Sequence, residues 1–361
     1  MARMTSLPRP LVAVGLALAM FLVVEVALQW RSYLRFGQSI LTSVQGQSVY
    51  TRDPQTGLLL LTPNMESGGK LQVIRSNGVG LRSPEIPADK PPGTIRVAVL
   101  GASTVFGAYA PHNESTFPGR LERLLRDRMP DRRIEVINAG IPGFGLANQA
   151  RLFDRLIAGF SPDITIVYPG FNDFGAYCRG TGTESTWRPQ PLVSFELPGW
   201  LLSVELLLKN TVALRTMPEG LQARVDAAAL DLGPYRERLR ALLATLRRHG
   251  TQPFVARNTR SYRPEQPLAE QLALSETARF YNPCFDLPGL HLLYDRHNDA
   301  IAAEAGALGV PVLPLDEVIP GGRAHFVDAS HFSERGEQAV AEWLADTLAP
   351  HLQALADGAA K

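Results

Sequence analysis

The sequence predicts an α/β fold: a doubly wound, three-layer α/β/α domain with a five-stranded parallel sheet, preceded by one transmembrane helix. Three features of the chain lead there. From residue 95 onward, short β-branched runs alternate with longer amphipathic ones, and that alternation implies right-handed crossovers and a parallel sheet covered on both faces. Apolar residues make up 45% and charged residues 20%, an ordinary globular composition that excludes global disorder, a collagen-like repeat and a polytopic membrane protein. Residues 11–30, LVAVGLALAMFLVVEVALQW, are apolar apart from Glu25 and Gln29, and about 20 helical residues cover the ~30 Å hydrocarbon core of a bilayer.

The 361 residues suggest two or so domains, or one large α/β domain with appendages. With 36 Lys and Arg against 35 Asp and Glu the net charge is +1, so no basic excess exists to hold a nucleic acid backbone. Two cysteines, Cys178 and Cys284, are too few for a disulfide scaffold and lack the clustered spacing of a zinc site. The chain contains no GxxxxGK, no HExxH and no internal repeat, so no cofactor or metal is expected.

The apolar run at 11–30 is read as a signal anchor, because a secretory h-region is usually only about 7 to 15 residues and no A-x-A site follows. Pro8 and Pro10 bracket Arg9 ahead of it, and Trp30 closes it as an interfacial aromatic. A cleaved signal peptide is the competing reading, favoured by the short uninterrupted stretch before Glu25. Arg3 and Arg9 precede the run and Arg31 and Arg35 follow it, so charge does not orient it. The default for so short a leader puts residues 1–10 in the cytoplasm and the remainder on the extracytoplasmic, periplasmic side of the cell membrane.

Residues 31–94 are rich in Gly, Ser, Thr, Gln and Pro and finish in Pro84, Pro87, Pro91 and Pro92, the composition of a semi-rigid stalk. Within it SNGVGLRS, at 76–83, suits packing on a domain edge. The domain is expected over 95–351, with a tail at 352–361. Its strands are IRVAVL (95–100), IEVIN (134–138), DITIVY (163–168), QPFVA (252–256) and VPVLPL (310–315). Helices are expected where Phe117, Leu121, Leu124 and Leu125 recur at helical spacing, at 146–157, from Pro234 to His249, at about 292–308, and after Ser333. An insert at 175–232, with Trp187, Trp200 and the apolar piece PGWLLSVELLLKNTVAL, is long for a βα connection. It suits either a lid over the site or an extra helix packed on the sheet, and an exposed apolar helix there could lie on the membrane.

Ligands bind beyond the carboxyl ends of parallel strands. The residues at those ends include Ser103 in LGASTVFG, the turn NAGIPGFG, Asn172 and Asp173 in YPGFNDFG, Arg257 and Arg260, and Asp328 with His331 in DASHFSERG. Singly each is ordinary: a serine there is usually a helix cap, and Asn172 and Asp173 are turn formers. The chemistry they allow together is nucleophilic. A serine hydroxyl needs an imidazole to take its proton and a carboxylate to fix the ring's tautomer, and a three-residue spacing lets one tight loop hold both Asp328 and His331.

In this order, the four blocks resemble the SGNH hydrolase family, the GDSL esterases and lipases, from about residue 95 to the last helix. The resemblance implies a flavodoxin-like hydrolase fold, a serine esterase, and roles residue by residue. Ser103 is the nucleophile, and Asp328 and His331 complete the triad. The Ser103 and Gly143 N–H groups and the Asn172 amide form the oxyanion hole, Gly143 being preferred to Gly140. One departure stands out: GAS, with Ala102, replaces the family's GDS. There the aspartate supports the turn and carries no proton, so Ala102 implies a differently braced active-site loop. Asp173, Arg257 and Arg260 are candidate substrate contacts, the arginines for an acidic sugar or phosphate head group, with surface ion pairing as the alternative. His325 lies on the loop before Asp328, with a structural role the simpler reading. Cys178 and Cys284 can be joined if the domain lies outside the cytoplasm. The expected substrate is an O-acylated, chiefly O-acetylated, extracytoplasmic carbohydrate. An acylated lipid, transfer of the acyl group to a glycan hydroxyl, and a non-catalytic glycan-binding role are the alternatives.

Overall fold

The computed structural model describes residues 8–36, 49–179, 201–204, 206–207 and 225–358. Trp187, Trp200 and most of the expected insert lie outside the described residues. A five-stranded parallel sheet carries the domain, built from β5 (Thr94–Gly101), β6 (Arg133–Gly140), β7 (Ile164–Val167), β8 (Gln252–Ala256) and β9 (Val312–Leu313) in the order β6-β5-β7-β8-β9. Successive side chains of β5 enter opposite cores. Val97 and Val99 pack with Phe117, Leu121 and Leu125 of α3 (Phe117–Arg128) and Val340, Leu344 and Leu348 of α11 (Glu334–Gly358). Ala98 and Leu100 pack with α4 (Leu146–Arg155), α6 (Gly233–Arg248) and α9 (Leu287–Ala307). Burial on both faces is why these strands are continuous apolar runs rather than alternating ones.

Helix starts follow local chemistry. Thr116 accepts the Gly119 N–H ahead of Pro118, and Asp286 accepts the Gly289 N–H ahead of Pro288, each a cap followed by a first-turn proline. The Asp286 cap starts α9 at Leu287, five residues before the expected position. Only two residues of VPVLPL pair as strand. The tail expected from 352 is, through Gly358, the end of α11, where Leu352 and Ala356 are buried.

Register fixes where the site lies. Gly101 aligns with Gly140 and Leu100 with Val167, so the loops after β5, β6 and β7 leave one edge of the sheet together. The chain moves from β5 outward to β6 and returns on the far side of β5 as β7, which makes the end of β5 the switch point of the sheet.

Ahead of the sheet, α1 (Arg9–Phe36) is longer than the apolar run. Residues 9–34 form the one helix among the described residues long and apolar enough to cross a membrane. Most of its apolar side chains are exposed, whereas Glu25 is buried, accepting the N–H groups of Leu202 and Ser203 and the Gln29 side chain. The stalk expectation requires correction over residues 49–93, which fold back onto the domain. Two antiparallel hairpins form, β1 (Tyr50–Arg52) with β2 (Leu59–Leu61) and β3 (Glu66–Gly68) with β4 (Val73–Arg75). Leu58, Leu60 and Leu81 join the core on one face of the sheet. The proline-rich strap that follows is held at the sheet's opposite end by Arg96. That fully buried side chain forks onto Glu135 at 2.7 and 2.9 Å and also reaches the carbonyls of Phe160 and Pro87.

Candidate active site

Ser103 opens α2 (Ser103–Phe106), a one-turn helix directly beyond β5. Two glycines make room for it. A Cβ on Gly101 would lie 2.2 Å from Val105 Cγ2, and one on Gly140 would lie 2.2 Å from the Phe106 nitrogen. Ala102 precedes the helix with no side-chain cap, and Gly107 ends it in the left-handed region at φ 75°.

The loop ahead of α11 faces this turn. An antiparallel bridge joins Phe326 to Phe332, and the Val327 N–H donates to the His331 carbonyl. Inside that loop Asp328 Oδ1 accepts the N–H groups of Ser330 and His331, both at 3.0 Å, while Oδ2 lies 2.7 Å from His331 Nδ1. His331 Nε2 lies 2.7 Å from Ser103 Oγ. Burial pushes the Asp328 carboxyl up, but the His331 bond and charge and the two backbone N–H groups outweigh it and hold the group below its ordinary value. The carboxylate is therefore ionised at neutral pH and accepts the hydrogen bond that an Nδ1–H donates, which leaves the Nε2 lone pair facing the hydroxyl. Ser333 accepts the Gly336 N–H at 3.2 Å and donates to the Ala324 carbonyl, holding the loop to the helix start.

Asn172 follows β7 in a short 3-10 turn, Phe171–Asp173, where its amide donates to the Phe144 carbonyl at 3.1 Å. One N–H is thereby fixed and a second is available for another acceptor. Gly143, adjacent to Phe144, has φ 84° and open space where a Cβ would stand. Gly140 differs: its N–H donates to Asn138 Oδ1 at 3.0 Å, and its missing side chain serves packing against α2.

Three candidate substrate contacts are occupied elsewhere. Asp173 is buried, accepts the Leu146 N–H at the start of α4, and is pushed up to about 6, chiefly by burial. Arg257 forks onto Asp316 at 2.8 Å twice and also meets Glu317. Arg260, 3% exposed, pairs with Asp295 and His291 and lies over Tyr294. Each neighbour was invisible at the sequence level because it comes from a remote segment. His325 contributes its backbone, its carbonyl accepting the Ser333 N–H.

Two further residues join the site. Tyr109 donates its hydroxyl to Asp328 Oδ2 at 3.3 Å and sets its ring edge-on to His331 at 5.5 Å. Thr104 donates to the Ser330 carbonyl at 3.3 Å, tying α2 to the histidine loop. Cys178, shortly after Asn172, is disulfide-bonded to Cys284.

Comparison with known proteins identifies the family of the chain. Solved structures similar to this chain include an acetylxylan esterase from Geobacillus stearothermophilus, in a catalytic-mutant form, at 16% identity and TM-score 0.43, the match covering 72% of this chain and 95% of that one. A lipase/acylhydrolase from Enterococcus faecalis matches at 15% identity and TM-score 0.41, over 71% of this chain and 96% of that one. An α/β hydrolase from a Lake Arreo metagenome matches at 14% and 0.43, over 71% and 96%. A search of curated protein sequences gave no match. Residues 99–339 match the profile of the GDSL-like Lipase/Acylhydrolase family, a span that contains every residue of the Ser103, Gly143, Asn172, Asp328 and His331 set. The chain belongs to that family and is a carboxylic ester hydrolase.

Proposed function

We propose that this esterase is a single-pass membrane protein whose domain lies outside the cytoplasm and hydrolyses O-acyl, chiefly O-acetyl, esters of an extracytoplasmic carbohydrate. The observation that carries the catalytic reading is the unbroken line from Asp328 Oδ2 to His331 to Ser103 Oγ, with 2.7 Å at each step. Ser103 Oγ attacks the ester carbonyl carbon while His331 Nε2 takes its proton. The carbonyl oxygen gains charge as it becomes tetrahedral and is met by the N–H groups of Ser103 and Gly143 and by the Asn172 amide. Collapse expels the alcohol, protonated by His331, and leaves an acyl-serine. Water then attacks, deprotonated by the same imidazole, and the carboxylic acid leaves.

The anchoring reading rests on the exposed apolar surface of α1 and, for the side of the membrane, on the Cys178–Cys284 disulfide, since such bonds persist in oxidising compartments. An anchored domain on that side reaches envelope polymers. The lipid alternative draws on Leu206 and Leu207, apolar and exposed.

Initial rates on p-nitrophenyl esters of increasing chain length test the substrate class. The acetyl ester should be cleaved fastest, and acetate should be released from an acetylated glycan. Hydrolysis confined to long acyl chains would replace the carbohydrate reading with the lipid one, and acyl transfer to an added glycan acceptor would replace hydrolysis with transfer.

A further inference from the structure

The loop from Phe106 to Pro111 joins the two halves of the catalytic line. It begins where α2 ends, one turn after Ser103, and carries Tyr109, which touches both Asp328 and His331. The Gly107 and Ala108 N–H groups close this one-turn helix onto the Thr104 and Ser103 carbonyls, and Ala102 offers no side-chain bond at the other end. Beyond those bonds and one from the Ala110 N–H to the Gly107 carbonyl, the loop is held from the segment ahead of the sheet. Arg82, 1% exposed, donates to the carbonyls of Phe106 at 3.2 Å, Gly107 at 2.6 Å and Ala110 at 3.0 Å, and its Nε donates to Asn113 Oδ1 at 3.1 Å. Its guanidinium also lies over the Phe106 ring at 5.1 Å. Gln72, also buried, donates to the Ala108 and Ala110 carbonyls at 3.1 and 2.9 Å, and the Val73 N–H donates to the Pro111 carbonyl at 2.7 Å. Five consecutive or near-consecutive carbonyls of one short loop are therefore gripped from a segment outside the catalytic blocks.

We propose that residues 72–82 act as an intramolecular clamp on the catalytic loop, with Arg82 as the positioning residue that keeps Ser103 and Tyr109 in register with His331. This rests on the reading of Ser103 as the nucleophile. The planar fork matters as much as the charge: three carbonyls converge on its terminal nitrogens, and a lysine ammonium at the end of a flexible stem does not reproduce that geometry. Arg82 touches no substrate and acts only through the loop. Its loss lowers turnover rather than ground-state binding, because a displacement of about 1 Å in a catalytic group costs on the order of 10²-fold in rate.

The test uses the full-length protein in detergent, with Arg82→Met, Arg82→Lys and Gln72→Leu. Three readouts are taken: circular dichroism, the fraction of molecules labelled at Ser103 by a fluorophosphonate after exhaustive reaction, and kcat per labelled serine with KM on p-nitrophenyl acetate. The expected result is folded Arg82→Met with kcat per labelled serine about 100-fold down and KM within about twofold. Arg82→Lys should fall between it and wild type, and Gln72→Leu should be down several-fold. If Arg82→Met does not fold, the ordering of the other two variants, both below wild type in kcat at unchanged KM, carries the test. Wild-type kcat per labelled serine in every folded variant would overturn the clamp while leaving Ser103 as nucleophile. A wild-type adduct on a residue other than Ser103 would instead remove the nucleophile reading, and the clamp with it.

Discussion

His331 has both ring nitrogens engaged, Nδ1 by Asp328 and Nε2 by Ser103, so the identity of one acceptor decides which nitrogen is basic. Asp328→Asn keeps the shape but presents an amide, which can hold the ring in the wrong tautomer. Turnover should fall by about 10⁴-fold with folding intact; a loss under tenfold in kcat would show that the carboxylate does not set the tautomer. If Asn172 is the proposed oxyanion donor, kcat of Asn172→Ala should drop about 10² to 10³-fold, measured against an unchanged thermal midpoint. The candidates Ser103, Asn172, Asp328 and His331 could be picked out of the sequence because each stands in a short block beyond a predicted strand or ahead of the last helix. Tyr109 was not, because nothing in its neighbours indicates a bond to a residue 219 positions away. Asp173, Arg257 and Arg260 show the converse. Their types suggested binding, while Leu146, Asp316 and Asp295 occupy them through contacts that only the folded chain creates.

Between elements, α3 and α11 are joined by a carboxyl with a measurable signature. Glu337 of α11, buried, accepts the Phe117 N–H at the start of α3. Burial pushes it up to about 8, against the Phe117 bond and the charges of Arg82 and Arg120. The unfolded chain releases this proton near 4.5 and the folded chain holds it to about 8. Between those values the folded state binds more protons, so this group's contribution to stability falls as pH rises. Glu337→Gln keeps an acceptor for Phe117 and does not titrate. Its thermal midpoint relative to wild type should rise from pH 5 to pH 8 and stay level below about 4.5; a pH-independent difference would contradict a raised carboxyl. At this scale the long apolar strands and the periodic helices could be read directly from the sequence. The hairpins at 50–75 could not, because strands of three residues are too short for periodicity to register.

For the whole molecule, the glycine- and proline-rich composition of residues 31–94 suggested a spacer, yet Leu58, Leu60, Leu81 and Arg82 are buried in residues 49–93, which belong to the folded body. Composition records how easily a segment turns, and that property serves a strap wound over a domain as well as a stalk. The same body is closed by the Cys178–Cys284 bond across a sequence separation of 106 residues. On the chain-entropy model a loop of that size contributes about 4 to 5 kcal/mol. Cys178→Ser with Cys284→Ser should lose stability of that order in denaturant titration, and wild type in reductant should match the double variant; equal stability with and without the bond would show that the bridge constrains nothing. The most direct check on the catalytic assignment is mass-spectrometric mapping of the full-length protein after reaction with a fluorophosphonate. One adduct is expected, on Ser103, formed in step with loss of ester cleavage and absent from Ser103→Ala, which should itself be inactive. An adduct on another residue that tracks the loss of activity, or undiminished cleavage by Ser103→Ala, would contradict it.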